Sequence, residues 1–332
     1  MKLLVAGGAG FIGSAYVRRR LAEHPRDSVR VLDRLTYAGR RENLGGLPAD
    51  QLELVEGDIA DPETVAAAVE GCDAVVNFAA ESHVDRSIHS PGEFIQTDVF
   101  GAFVLLEAAR GTGIRHLQVS TDEVYGSIDA GSFSEDSPLQ PSSPYSASKA
   151  GGDLIVGAYH HTYGADGLIV RGSNNYGPRQ HPEKLIPLCI LNALAGDPVP
   201  VYGDGMQVRN WIFVEDFCAA IDLVLERGKA GETYNVGGPD ELPNLEAVKT
   251  ILALTERDES LIEYVTDRPG HDRRYSLSSE KVGALGWKPA VRFTEGLRRT
   301  VDWYRDNEWW WGPGRDGEYR EYYERQYGRA LG

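Results

Sequence analysis

The chain has 332 residues, enough for one large or two modest domains with a substantial core. Hydrophobic residues make up 42% and charged residues 25%, the balance of an ordinary globular protein rather than of a disordered or fibrous one. The formal net charge of -16 disfavours non-specific binding to nucleic acid or anionic membrane, so any anionic ligand needs a locally basic pocket.

The first residues, Met1–Ala6, are apolar but run directly into a glycine-rich turn. That run is too short for a signal-peptide core, and no apolar stretch is long enough to span a bilayer, so the expected compartment is the cytoplasm. Cys72, Cys189 and Cys218 are odd in number, far apart and without CxxC spacing. They suggest neither a disulfide framework nor a zinc site, and each reads as a small buried hydrophobe.

Short apolar runs at Lys2–Ala6, Val29–Asp33, Leu52–Val55, Ala74–Phe78, His116–Ser120 and Leu168–Arg171 read as strands. Helical patterns lie between them at Phe11–Leu21, Pro62–Val69, Gly92–Arg110 and Ser146–Tyr163. This alternation predicts an α/β fold, a parallel sheet with helices on both faces. The later part is less regular. Helices are expected at Lys184–Ala195, Val214–Glu226, Leu245–Leu254 and Thr294–Asn307, and strands at Val199–Tyr202 and Thr233–Val236. No linker is evident, so a second domain would pack directly on the first. In the aromatic tail after Asn307, Trp309-Trp310-Trp311 reads as a docked C-terminal anchor, with a ligand cage as the alternative.

Gly7-Gly8-Ala9-Gly10-Phe11-Ile12-Gly13 follows the first strand and opens the first helix, giving the spacing G-x-x-G-x-x-G of a dinucleotide fingerprint. Glycines there permit a tight turn and bring the backbone close to a diphosphate, which the helix N-terminus favours electrostatically. Asp33 ends the second strand, twenty residues after Gly13. A carboxylate at that place accepts from both ribose hydroxyls and repels a 2′-phosphate, favouring NAD over NADP; the adjacent Arg34 argues weakly the other way. Asp58, after the third strand, suits the adenine amino group, although alone it fits a turn cap equally well.

Tyr145-Ser146-Ala147-Ser148-Lys149 is Y-x-x-x-K at a helix start, which puts phenol and ammonium on one helical face. A nearby ammonium is expected to lower the tyrosine pKa and make it an acid/base. Upstream, Ser120-Thr121-Asp122-Glu123-Val124-Tyr125-Gly126 sits at the carboxyl end of a predicted strand, where open α/β sheets bind ligands. Its adjacent carboxylates can be driven to different pKa values, one an acid and one a base.

Together with these motifs, Phe78-Ala79-Ala80-Glu81-Ser82-His83-Val84-Asp85-Arg86-Ser87, Asn174-Asn175-Tyr176-Gly177-Pro178 and His181-Pro182-Glu183-Lys184-Leu185-Ile186-Pro187 resemble the dTDP-glucose 4,6-dehydratase family. The likeness continues through Arg209-Asn210-Trp211, Val214-Glu215-Asp216 and Asp267-Arg268-Pro269-Gly270-His271-Asp272, and so covers nearly the whole chain. It implies a Rossmann-type NAD-binding domain over residues 1–175, with returning segments near 212–238, and a smaller α/β nucleotide-sugar domain over 176–332.

The resemblance also implies chemistry and site residues. Tyr145, with Lys149 and Thr121, would take the proton of the sugar 4-hydroxyl while hydride leaves C4 for NAD. Glu123 would remove the C5 proton and Asp122 would protonate the departing C6 hydroxyl. Hydride return to C6 would restore tightly bound NAD and give a 4-keto-6-deoxy sugar with no metal. On the cofactor side it implies Gly7, Gly10, Phe11, Ile12, Gly13, Asp33, Leu35, Thr36, Asp58, Ile59, Phe78, Ala79, Ala80, Ser82, Thr97 and Asn175, besides Tyr145 and Lys149. On the dTDP-glucose side it implies Ser82, His83, Thr121, Asn174, Lys184, Leu185, Pro200, Tyr202, Arg209, Asn244, Arg268 and His271. A homodimer is implied, packed through the helices at Gly92–Arg110 and Ser146–Tyr163. Asp98 stands where the family usually has Asn, a local change in hydrogen bonding that bears on cofactor retention. A 4-epimerase or uronate decarboxylase shares the C4 oxidation, and a non-catalytic dinucleotide-binding scaffold is a third reading. Asp122 beside Glu123 separates a dehydratase from these.

Overall fold

The computed structural model describes residues 1–82, 84–267, 270–312 and 323. Within these, the strands are β1 (Lys2–Ala6), β2 (Ser28–Asp33), β3 (Leu52–Glu56), β4 (Ala74–Asn77), β5 (Arg115–Thr121), β6 (Gly167–Gly172), β7 (Asn174–Tyr176), β8 (Val199–Tyr202), β9 (Val208–Phe213), β10 (Thr233–Val236), β11 (Asp240–Pro243) and β12 (Ile262–Val265). The helices are α1 (Phe11–Glu23), α2 (Pro62–Val69), α3 (Val84–His89), α4 (Pro91–Phe94), α5 (Ala102–Ala109), α6 (Pro144–Tyr163), α7 (Leu185–Ala195), α8 (Val214–Arg227), α9 (Asn244–Leu254), α10 (Glu280–Ala284), α11 (Phe293–Asp306) and α12 (Glu308–Trp311).

Seven strands form one parallel sheet in the order β10-β6-β5-β4-β1-β2-β3. Side chains alternate across a strand, so Leu3 and Val5 of β1 join a core with α1 and α8, while Leu4 and Ala6 join another with α2 and α5. Both faces are therefore covered, which is why β1 reads as an uninterrupted apolar run. From β1 the chain builds outward to β2 and β3, then returns to β4 on the other side of β1. That reversal is the topological switch point, where the loops leaving β1 and β4 part to leave a crevice.

A second core belongs to the later part of the chain. It gathers Ile186, Ile190, Val201, Trp211, Val248, Leu297, Tyr304 and Trp310 around the β11-β9-β7 and β12-β8 ladders. Two later segments go back to the large sheet: α8 packs on α1, and β10 pairs with β6.

The expected early elements form within a residue or two of their predicted ends. One expectation is corrected. The stretch Gly92–Arg110 is not one regular helix but α4, a π-helical segment Ile95–Gly101, and α5. Gly151 and Gly152 of α6 lie against that segment, where a Cβ on Gly152 would come within 2.7 Å of the Asp98 carbonyl oxygen. All three cysteines are buried and free. Trp310 is fully buried in the second core while Trp309 is exposed, so the anchor reading of the tryptophan run holds for Trp310. Among the described residues, no helix is long and apolar enough to cross a membrane.

Candidate active site

A cleft of about 320 Å³ opens at the switch point. Gly7, Gly10, Phe11, Ile12 and Gly13 line one wall, and Phe78, Ala79 and Ala80 meet them from the end of β4. Gly7 has φ +71°, and a Cβ there would lie 2.5 Å from the Ala79 nitrogen, so only glycine fits both the conformation and the contact. A Cβ on Gly13 would come within 2.3 Å of the Gly7 carbonyl oxygen. Helix α1 starts with Gly10 at its N-cap, no capping side chain and no acid in its first turn. Its N–H groups and positive dipole end are thus left for an anionic group in the cleft, as a dinucleotide diphosphate requires.

Asp33 is held ready on the same wall. Its carboxylate accepts from the Ala9 N–H at 2.9 Å and the Leu35 N–H at 2.8 Å, and each oxygen keeps a lone pair for a further donor. Burial pushes its pKa up, and the two backbone N–H groups oppose that. Arg34 does not reach toward it: the guanidinium bonds Asp58 at 3.0 Å and lies 3.8 Å from Glu81. The charge that argued for a 2′-phosphate is thereby matched by two carboxylates. Asp58 also accepts from the Ala60 N–H, acting as a turn cap while lining the cleft.

The candidate acid/base groups line the same cleft. Strand β5 ends at Thr121, whose hydroxyl accepts from the Glu123 N–H and caps the 3-10 turn Asp122–Tyr125. Ser143 caps α6 through a reciprocal bond with Ser146, so Pro144 and Tyr145 start the helix and Lys149 follows one turn later. Thr121, Asp122, Glu123, Tyr145 and Lys149 all line the cleft.

Their environments differ. Asp122 is buried and accepts from the Thr121 hydroxyl at 3.2 Å, while its Oδ2 has no hydrogen-bond partner among the described residues. Burial first, and the Glu123 charge second, push its pKa up to about 8, so it carries a proton at neutral pH. Glu123 is half-buried. The expected lowering of the Tyr145 pKa is corrected: burial raises it well above 10.0, the Glu123 and Asp98 charges add to this, and the bond to Thr121 opposes it. Lys149 donates from Nζ to the Val119 carbonyl at 2.8 Å. Its ammonium instead counters the burial of Asp98 and Asp153.

A buried network fixes this turn. Asp153 of α6 accepts from Ser120 at 3.0 Å and Arg171 at 2.8 Å; Arg171 bonds the Tyr125 hydroxyl at 2.7 Å, which donates to Asn235 at 2.8 Å. Asp98, in the π-helical segment, accepts from the Ser148 hydroxyl at 2.6 Å, and burial pushes its pKa up to about 7. It faces α6 and is not among the residues lining the cleft, whereas Thr97 is.

Of the residues assigned to the cofactor, all line this cleft except Leu35. The Leu35 side chain packs against the first core, and its φ of +54° aims its N–H at Asp33. On the substrate side, Ser82, Thr121, Asn174 and Lys184 line the cleft, and Lys184 donates to the Ser82 carbonyl at 2.5 Å. Leu185, Pro200, Tyr202, Arg209, Asn244 and His271 do not. Several of these form a second group: His271 bonds Asp267 at 2.6 Å, Gln207 bonds Asp267 at 2.7 Å, and the Asn244 N–H donates to the Gln207 carbonyl at 2.9 Å. The rings of Tyr202 and His271 meet edge to face at 6.0 Å. Arg209 bonds the Val208 and Asp272 carbonyls and stacks on Tyr275, yet its charge reaches Asp122 and opposes the rise in that pKa. His83 and Arg268 lie outside the described residues.

Sequence reasoning assigned no role to several lining residues: Glu81, Ser173, Gln180, His181 and Glu183. Glu81, His181 and Glu183 lie within motifs that carried the resemblance, which was the available signal. Asn174 Oδ1, Asn175 Oδ1 and Gln180 Oε1 are buried without a hydrogen-bond partner among the described residues. Buried acceptors of this kind mark where a ligand's donors would be met.

A family model described as GDP-mannose 4,6 dehydratase matches residues 4–300. The chain is 49% identical to a dTDP-glucose 4,6-dehydratase of Mycobacterium tuberculosis, over 98% of this chain and 99% of that one. It is 54% identical to a low-salt glycan biosynthesis protein of Haloferax volcanii, over 92% of this chain and 98% of that one. The solved structure of a dTDP-glucose 4,6-dehydratase from Streptomyces venezuelae, with NAD and a second ligand bound, is similar with a TM-score of 0.92 and 54% identity, covering 95% of this chain and all of that one.

Proposed function

As the chain belongs to the dTDP-glucose 4,6-dehydratase family, we propose that it converts dTDP-glucose to dTDP-4-keto-6-deoxyglucose, with NAD restored in each turnover. The observation that carries this reading is Asp122: a buried carboxyl, its pKa pushed up by burial and by Glu123, directly beside the half-buried Glu123 and in one cleft with Tyr145. Removing water across C5–C6 needs an acid and a base in addition to the group that handles the 4-hydroxyl. Epimerisation at C4 does not.

Bound NAD supplies a positively charged, reversible hydride acceptor. The glycine loop, Asp33 and the open end of α1 hold and orient it. With the positive charge of bound NAD beside it, Tyr145 would first give its own proton to solvent, and its phenolate oxygen would then take the proton of the 4-hydroxyl, with Thr121 bonded to it and Lys149 one helical turn away. The resulting ketone acidifies the C5 proton, which passes to the Glu123 carboxylate. Asp122 gives its proton to the C6 oxygen as water leaves. Asn174 and Lys184 contribute an amide and a cation toward the nucleotide, and Tyr202, Arg209, Asn244 and His271 form its far end.

The reading includes a cytoplasmic homodimer. Supporting the dimer, Ile95, Phe100 and Phe103 on the stretch 91–109 and Leu154 and Tyr163 on α6 are exposed large hydrophobics on neighbouring elements.

Two outcomes follow. Incubation with dTDP-glucose, without added cofactor, should produce a new C6 methyl signal by NMR; an unchanged hydroxymethyl group in every hexose nucleotide tried would defeat the proposal. Gly13→Ala should weaken NAD binding about ten-fold or more, because its Cβ drives the loop apart against backbone. Calorimetric titration with NAD checks this, and unchanged affinity would mean that the cofactor does not use this loop.

A further inference from the structure

The tryptophan run at the end of the second core does more than fasten the chain. Trp310 of α12 is fully buried against Trp303 and Tyr304, but its indole N–H leaves that core and donates to Asn43 Oδ1 at 2.7 Å. Asn43, also fully buried, donates from Nδ2 to the Ala9 carbonyl at 2.8 Å. Ala9 is the third residue of the glycine loop. Its N–H is one of the two backbone groups that hold Asp33, at 2.9 Å, and its carbonyl also accepts from the Arg40 N–H at 3.0 Å. Arg40 in turn bonds the Trp310 carbonyl at 2.5 Å and lies over the indole at 4.8 Å.

The chemistry of this relay leaves one arrangement. An indole N–H can only donate and a peptide carbonyl can only accept, so the Asn43 amide must present oxygen to Trp310 and nitrogen to Ala9. Turning the amide over would set two oxygens against each other at Ala9 and two donors against each other at Trp310. Trp310 therefore selects the Asn43 orientation that restrains the Ala9–Gly10 peptide, and the adjoining Gly8–Ala9 peptide carries the N–H that bonds the Asp33 carboxylate.

We propose that Trp310 is a positioning residue for the dinucleotide site, acting through Asn43 on the glycine loop. The inference rests on the NAD reading above. It couples a helix some three hundred residues along the chain to cofactor retention, although no residue of that helix is among the described residues that line the cleft.

The test compares Trp310→Phe, Asn43→Ala, their double variant and Trp311→Phe in the full chain. Trp311 is the control: it lies on the same short helix, but its indole N–H donates to the Tyr304 carbonyl at 2.7 Å. Removing the Trp310 donor strands a buried acceptor, so the dissociation constant for NAD should rise roughly ten-fold in Trp310→Phe and in Asn43→Ala. The double variant should be no weaker than Asn43→Ala alone, because both act through one path. Trp311→Phe should lower the thermal midpoint yet leave NAD affinity within about two-fold, since it breaks no bond on that path. At saturating NAD and substrate, kcat should be unchanged in all four. Without NAD, amide hydrogen exchange over Gly7–Gly13 should quicken in Trp310→Phe and not in Trp311→Phe. Unchanged NAD affinity in Trp310→Phe, or equal weakening by Trp311→Phe, overturns the proposal. If Trp310→Phe does not fold, full NAD affinity in Asn43→Ala overturns it. Failure of the unaltered protein to bind NAD would instead overturn the cofactor reading, while the exchange experiment would still decide whether Trp310 restrains the loop.

Discussion

Tyr145→Phe is expected to lower kcat by about a hundred- to ten-thousand-fold, the usual effect of losing a positioned acid/base. No reduced nicotinamide should then appear by near-ultraviolet absorbance when dTDP-glucose is added. The ring should keep its place, because Tyr145 is buried and Phe94 meets it edge to face at 6.2 Å. Substrate binding should therefore survive within a few-fold. The loss falls on the first chemical step because Tyr145 is the hydroxyl in the cleft bonded to Thr121 and facing the charges of Glu123 and Asp98. Those charges and burial keep the phenol protonated. It becomes a base only in company with added positive charge, which oxidised NAD carries, so the protein should not ionise this tyrosine by itself at physiological pH. An NAD reduction rate above about a tenth of normal in Tyr145→Phe would contradict the role given to it.

Asp122→Asn and Glu123→Gln should fail later and differently. Each is expected to lower product formation by about a hundred-fold or more. Both should still reduce NAD on addition of dTDP-glucose, so reduced cofactor accumulates where Tyr145→Phe yields none. Asp122→Asn should retain exchange of the C5 proton with solvent deuterium, and Glu123→Gln should block it. Loss of NAD reduction together with exchange in Glu123→Gln would mean that Glu123 is not the C5 base. The sign of the pH effect follows from the Asp122 pKa of about 8. Its raised pKa leaves the proton on below that value, so the acid step should run at neutral pH and slow as pH rises through about 8. In Asp122→Asn that alkaline limb should disappear.

The early half of the fold is legible because burial on both faces of one sheet imposes uninterrupted apolar strands, and the helices between them carry clear periods. The later half is less so. Strands β7, β11 and β12 are three or four residues long, and β9 pairs with β7 and β11 across long separations, so no local pattern announces them. The π-helical turn at Ile95–Gly101 keeps nearly the same apolar spacing as an α-helix and is invisible in sequence.

The candidate site divides in the same way. Gly7–Gly13, Thr121–Glu123 and Tyr145–Lys149 are each contiguous, so short-range chemistry reveals them. The Tyr145 pKa is not a short-range property: the expected lowering by Lys149 is overridden by burial and by Glu123 and Asp98, which the fold brings in from two other elements. Leu35 shows a related limit, since proximity in sequence to Asp33 put its backbone at the site and its side chain in the core. The link from Trp310 through Asn43 to Ala9 joins residues far apart in sequence and has no motif at all.

The central claim is that one cleft oxidises C4, removes water across C5–C6 and returns the same hydride to C6. dTDP-glucose carrying deuterium at C4 tests it directly, with the purified protein and no added cofactor. The account predicts that the deuterium reappears in the C6 methyl group of the 4-keto-6-deoxy product, with one solvent-derived hydrogen at C5. A C6 methyl group without that deuterium, or a product that keeps its C6 hydroxyl, would contradict it.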